Sequence, residues 1–190
     1  MSDLGHYTPG PAAGARIEKE GDKWTLVLVR ELRHSPEKVW QAITDPAHLR
    51  EWAPFDADGS LDTAGSKVKL TTVGAPSPHI TETTVTRAEP PRLLEYNWGG
   101  FDMRWQLEAL GNGTRMTLWT NIARPYIAMG AAGWHICFDV LDRLLAGQPI
   151  GRKVGPPVMK FDWWPSLNAD YAKLLGVPLP TLPSKAEQKS

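Results

Sequence analysis

Apolar and polar positions alternate in three different ways along the chain. "KWTLVLVRELR" places Trp24, Leu26, Leu28 and Arg30 on one face and Thr25, Val27 and Val29 on the other, which predicts a strand. "SPEKVWQAIT" follows with Val39, Trp40 and Ile43 on one face of a helix, Ser35 as its cap and Pro36 in its first turn. Asp45 caps a second short helix that buries Leu49 and Trp52. From residue 55 to 121 the period becomes two, interrupted by Gly, Pro and Asn turns, which predicts a meander of short antiparallel strands. There Leu94, Tyr96 and Trp98 alternate with Glu95 and Asn97, and Met103, Trp105, Leu107 and Ala109 with Arg104, Gln106 and Glu108, so one face of the sheet is apolar and the other wet.

A helix near 127–146 is the obvious cover for that apolar face. On a wheel of about 100° per residue, His135, Asp139, Asp142, Arg143 and Ala146 form a narrow stripe expected to face water, with His135 and Asp139 as an exposed ion pair. The opposite arc, including Ile127, Gly133, Ile136, Cys137, Phe138 and Leu141 with Trp134 at its border, is wider than a surface helix needs. His135 and Cys137 point roughly 200° apart, so they cannot share a metal ion or act as base and nucleophile. Cys137 reads as a small core filler. Beyond Gly147, "QPIGRKVGPPVMKFDWWPS" is too long for a structureless connection, and a helical turn is expected around Val158 to Asp162. A last helix carries Pro165 in its first turn, Leu167, Tyr171, Leu174 and Leu175 on one face, and Gly176 as its C-terminal cap. Residues 1–15 and 177–190 read as loose tails around one domain, 16–176, of which 147–176 is an extension.

Composition narrows the function classes. The 190 residues carry 21 basic and 21 acidic side chains and no basic run, which argues against nucleic acid as a partner. A single cysteine permits no internal disulfide and fits a reducing cytoplasm. No basic, apolar leader opens the chain and no long apolar run follows, so neither export nor a membrane span is expected. The remaining histidines, His6, His34, His48 and His79, are scattered without ligand spacing, so no metal is expected. Phosphate loop, GxSxG elbow and dinucleotide fingerprint are all missing, and no cofactor is expected. The unusual number is nine tryptophans.

"SPEKVWQAITDPAHLREW", "RAEPPRLLEYNW" and "AAGWHICFDVLDRLLAG", in that order, resemble the single-domain relatives of the activator of the heat-shock-protein-90 ATPase, within the START-like superfamily. The resemblance runs from about Trp24 to Gly147 and implies an α+β helix-grip fold: a strand, two short helices, a curved antiparallel sheet and a long C-terminal helix enclosing an apolar cavity. The continuation to Gly176 is similar to an extension found in a bacterial subset. The chaperone-activating proteins have a separate N-terminal domain without counterpart here, which weakens the case for a chaperone partner. Relatives frequently end the last strand with histidine, where "TLWTNI" has Asn121.

Three functions stay open. The first is binding of a small aromatic or lipid-like molecule between helix and sheet, with Trp98 and Trp105 stacking on it, Trp134 and Phe138 as the far wall, Trp52 and Phe55 at the entrance, and Tyr96 and Met103 on the apolar face. A cyclase or dehydratase would need a general acid or base in the cavity, for which Tyr96, Glu82, Asp102 and His135 are the available groups. Third, Phe161, Trp163 and Trp164 in "MKFDWW" could dock a partner or cover the chain's own cavity mouth. A homodimer is compatible with the sequence, which holds no symmetry information.

Overall fold

A computed structural model describes residues 7–179. Strand β1 (Ala15–Glu20) turns at Gly21 into β2 (Lys23–Leu32). Helix α1 (Pro36–Thr44) starts where Ser35 Oγ accepts the Lys38 amide at 3.3 Å, and α2 (Pro46–Trp52) where Asp45 accepts the Ala47 amide at 2.8 Å. Both caps occupy the positions that side-chain capping of free helix amides dictates. Seven strands follow: β3 (Phe55–Ala57), β4 (Lys67–Thr72), β5 (His79–Thr84), β6 (Arg87–Glu89), β7 (Leu93–Trp98), β8 (Phe101–Leu110) and β9 (Gly113–Asn121). Together with β1 and β2 they build an antiparallel curved platform in two parts, ordered β1-β2-β9-β8-β7-β6 and β3-β4-β5.

Helix α3 (Ile127–Leu145) lies over this platform, and α4 (Trp164–Leu175) lies against α3. The architecture is the expected α+β one. Strand β1 is an addition to the expected elements: only Ala15 and Ile17 are shielded along it, so its period is too weak to read. Among the described residues no helix is long and apolar enough to cross a membrane.

Large rings set the height of α3 above the sheet. Trp105 of β8 meets Trp134 at 5.7 Å and Phe138 at 6.1 Å between ring centres, and Trp52 of α2 meets Trp105 edge-on at 6.1 Å. Edge contacts at such separations suit the aromatic quadrupole, and the polar corners are satisfied as well. Trp52 Nε1 donates to Ala42 O at 2.9 Å, and Trp105 Nε1 donates to Tyr96 Oη at 3.2 Å. At the far end of α3, Lys38 Nζ donates to Leu145 O at 2.7 Å, a cation placed where the helix dipole is negative.

The polar stripe of α3 does not face water as expected. His135 is only 5% exposed and the Asp139 side chain 18%; exposure returns toward the C-terminus, at Arg143 and Ala146. Helix α4 and the chain entering β1 cover the stripe. His135 Nδ1 is 2.7 Å from Tyr171 Oη, Tyr171 Oη donates to Ala13 O at 3.3 Å, and His135 Nε2 is 3.4 Å from Asp139 Oδ2. Arg30 Nη1 donates to Asp139 Oδ1 at 2.5 Å, and Tyr7 Oη donates to Asp139 Oδ2. Helical period shows which stripe is the more polar, but not whether a later element will bury it. Within the expected tail 1–15, Tyr7 thus joins the body; residues 1–6 and 180–190 lie outside the described residues.

The segment after α3 folds back onto the platform. Arg152 Nη1 donates to Asp56 Oδ1 at 2.7 Å and to Ala53 O at 3.3 Å. Beyond it Gly155, with φ +72°, passes so close to Gly74 that a Cβ on Gly155 would stand 2.6 Å from Gly74 O. Both the positive φ and the backbone approach demand glycine.

Two measurements test these contacts. Burial alone would raise the Asp139 carboxyl, but hydrogen bonds from His135, Tyr7 and Arg30 and the charge of Arg30 outweigh it and hold the group at about 2. Its folded value lies below its unfolded one, so the stability it contributes is complete above about pH 4 and lost as pH falls toward 2. Replacing Asp139→Asn is expected to cost about 2–3 kcal/mol at pH 7 and to flatten the acid limb of the urea-unfolding stability profile. Gly155→Ala is expected to push the 150–159 segment off the β4–β5 turn. Cys137, whose thiol burial pushes up to about 12, should then react with a bulky maleimide on the order of tenfold faster than in the unaltered protein.

Candidate functional site

The space between α3 and the sheet is divided. Its centre is occupied by rings, and a hollow of about 540 Å³ remains at the N-terminal end of α3. Its inner wall is Trp98 and Trp134, its floor is the end of β9 at Thr120 to Ile122, and its cover is the segment Lys153 to Met159 with Trp164. Three exposed apolar side chains, Phe101, Tyr126 and Met159, stand at its edge.

Sequence patterns explain why space opens there. Along α3, Trp134 and Phe138 fill the middle, whereas Gly130, one turn before Trp134, and Gly133, immediately before it, supply no side chain. A Cβ on Gly130 would press against the tip of Ile122 at 2.6 Å, but one on Gly133 would meet nothing within 4 Å. Gly133 therefore keeps the wall recessed, although glycine inside a helix costs roughly 1 kcal/mol relative to alanine.

Of the eight side chains expected around a cavity, Trp98 and Trp134 line the hollow, 6.2 Å apart between ring centres. Trp52, Phe55, Tyr96, Met103, Trp105 and Phe138 are almost fully buried behind them. They act at one remove. Phe55 supports Trp98 at 5.1 Å, and Phe138 supports Trp134 at 5.8 Å. Trp98 Nε1 donates to Thr72 Oγ1 at 3.0 Å, which fixes the ring's orientation. Phe161 and Trp163 stack at 4.8 Å, with Tyr7 edge-on to Trp163 at 5.6 Å, while neighbouring Trp164 turns to the hollow. "MKFDWW" is thus folded onto its own domain.

None of the groups weighed for acid–base chemistry lines the hollow. The Tyr96 hydroxyl, which burial pushes upward in pKa, accepts the Trp105 indole. Glu82 and Asp102 border a separate polar groove among β5, β7 and β8, and His135 belongs to the network under α4. Asn121 has its amide engaged by the β7–β8 turn, accepting from Asp102 N at 2.5 Å and donating to Gly100 O at 3.3 Å. Among the described residues no group of three His, Cys, Asp or Glu side chains is placed to hold a metal ion.

Sequence reasoning missed Lys153. It is 5% exposed, it lines the hollow, and its Nζ donates to Ile150 O at 3.0 Å. Burial lowers its pKa from the ordinary lysine value. The available signal was one lysine inside the Gly- and Pro-punctuated stretch "GRKVGPPV", which reads equally well as a solvated loop charge.

The comparisons with known proteins agree with this architecture. A conserved protein of unknown function from Enterococcus faecalis, EF2215, superposes with a TM-score of 0.61 at 15% identity, over 84% of this chain and 89% of its own. CalU16 from Micromonospora echinospora superposes at 0.60 with 18% identity, over 90% of this chain and 97% of its own. DynU16, from the dynemicin biosynthetic locus, superposes at 0.59 with 22% identity, over 70% of this chain and 52% of its own. At these identities the likeness is one of fold, the START-like one. No curated protein sequence matches the chain. The family model described as activator of Hsp90 ATPase homolog 1-like protein matches residues 33–146, more than half of the chain, and the chain belongs to that family.

Proposed function

We propose that the protein binds a small hydrophobic molecule in the hollow between the Trp98–Trp134 wall and the 153–159 cover. The observation that carries this reading is the hollow itself: about 540 Å³, lined mostly by apolar side chains and kept open by Gly133. That volume lies within the range of about 300–1,000 Å³ that ligand sites occupy. Removing ligand surface from water would supply the affinity, at about 2.5 kcal/mol for each 100 Å² of apolar area. Trp98 and Trp134 offer flat faces or edges to an aromatic or alkyl body, and the exposed Phe101, Tyr126 and Met159 form an apolar approach. The family fold, commonly a ligand-binding one, supports the same reading.

Titration with a library of hydrophobic compounds should change tryptophan emission for at least one chemical class, because two rings would lose their contact with water. Gly133→Met is expected to project into the hollow, weaken such binding about tenfold or more, and leave the unfolding temperature unchanged or higher, since methionine is the better helix former. Unaltered binding by a folded Gly133→Met protein would place the ligand elsewhere.

A further inference from the structure

Lysine is rarely buried unless an opposite charge meets it. Lys153 is buried at 5% exposure, yet among the described residues no carboxylate lies within 4.0 Å of its Nζ. Its recorded partners are the Ile150 carbonyl at 3.0 Å and the ring of Tyr7, 5.8 Å from its centre. An ammonium has three N–H groups, so one carbonyl and one ring face leave hydrogen-bonding capacity unused and supply no opposite charge. It is also the one charged side chain among the residues lining the hollow. The polar neighbours there are already engaged: Asn121 holds the β7–β8 turn, and Thr120 Oγ1 donates to Met103 Sδ at 3.5 Å.

We propose that the occupant of the hollow is an amphipathic acid, whose carboxylate meets Lys153 Nζ while its apolar body lies against Trp98 and Trp134. This rests on the reading of the hollow as a ligand site and names the chemical class of the ligand. A neutral apolar molecule in the hollow would supply no counter-charge to the buried ammonium, which is unfavourable. A carboxylate exchanges that penalty for a charge-assisted hydrogen bond in a low-dielectric setting. Burial lowers the pKa of Lys153, in keeping with its shielded position. Arg152, beside it in sequence, is already paired with Asp56 and anchors the backbone that presents Lys153.

The test is calorimetric titration of the full chain with decanoate and with decan-1-ol, below the concentrations at which either aggregates, for the unaltered protein, Lys153→Met and Lys153→Arg. The unaltered protein should bind decanoate at least about tenfold more tightly than decanol. Lys153→Met should lose that preference while binding decanol as well or better, and Lys153→Arg should keep it, with thermal unfolding of each variant confirming its fold. Equal binding of acid and alcohol by the unaltered protein, or a preference that survives in Lys153→Met, overturns the assignment of Lys153 and leaves the hollow as a site for neutral ligands. Binding of neither compound by the unaltered protein overturns the assignment of an amphipathic acid, while the titration with the hydrophobic library decides separately whether the hollow is a ligand site.

Discussion

The contact between the rings of α3 and those of the sheet governs the rest of the molecule. Trp134 and Phe138 descend from the helix onto Trp105, and Trp52 braces Trp105 from the side. Side chains of this size fill the space between the middle of the nineteen-residue helix and the strands beneath it. Toward its N-terminus the two glycines of the helix differ: Gly133 faces open space, whereas Gly130 packs closely on Ile122. The hollow therefore lies where ring-sized side chains give way to Gly133 and where the 153–159 segment with Trp164 closes over the gap.

The other side of α3 is held by different physics. Asp139 is enclosed by Arg30 from β2, Tyr7 from the N-terminal segment and His135 one turn earlier, which in turn meets Tyr171 of α4. Partly buried charges are costly unless every one is paired and hydrogen-bonded, and here each has a partner. This network ties three sequence-distant elements to one helix. Lys153 is the contrast: it is buried and borders the hollow, but lacks a carboxylate partner among the described residues.

Much of this was legible in the residues. Ser35 and Asp45 announced two helix starts, the alternation of Tyr96, Trp98, Met103 and Trp105 announced a one-sided sheet, and the apolar arc of α3 announced its cover. The candidate site was legible only in part. Alternation identified the apolar face correctly but gave no means to separate rings that pack on one another from rings that border empty space. Trp105 and Trp98 share the same pattern, and only Trp98 stands at the hollow. Lys153 and Gly155 lie in an irregular stretch with no period to read, so their places emerged only when that stretch was seen against Asp56 and Gly74.

The amino-acid sequence by itself determined the elements, their order and which face of each is apolar, because capping, turn geometry and side-chain period are local properties of the chain. Tertiary structure alone decided that the polar stripe of α3 is covered, that the tryptophans divide into packing and lining sets, and that a lysine is carried into an apolar hollow. Those outcomes depend on distances between elements far apart in the chain, and these distances are set by the summed volumes of the side chains between them, which no local pattern records.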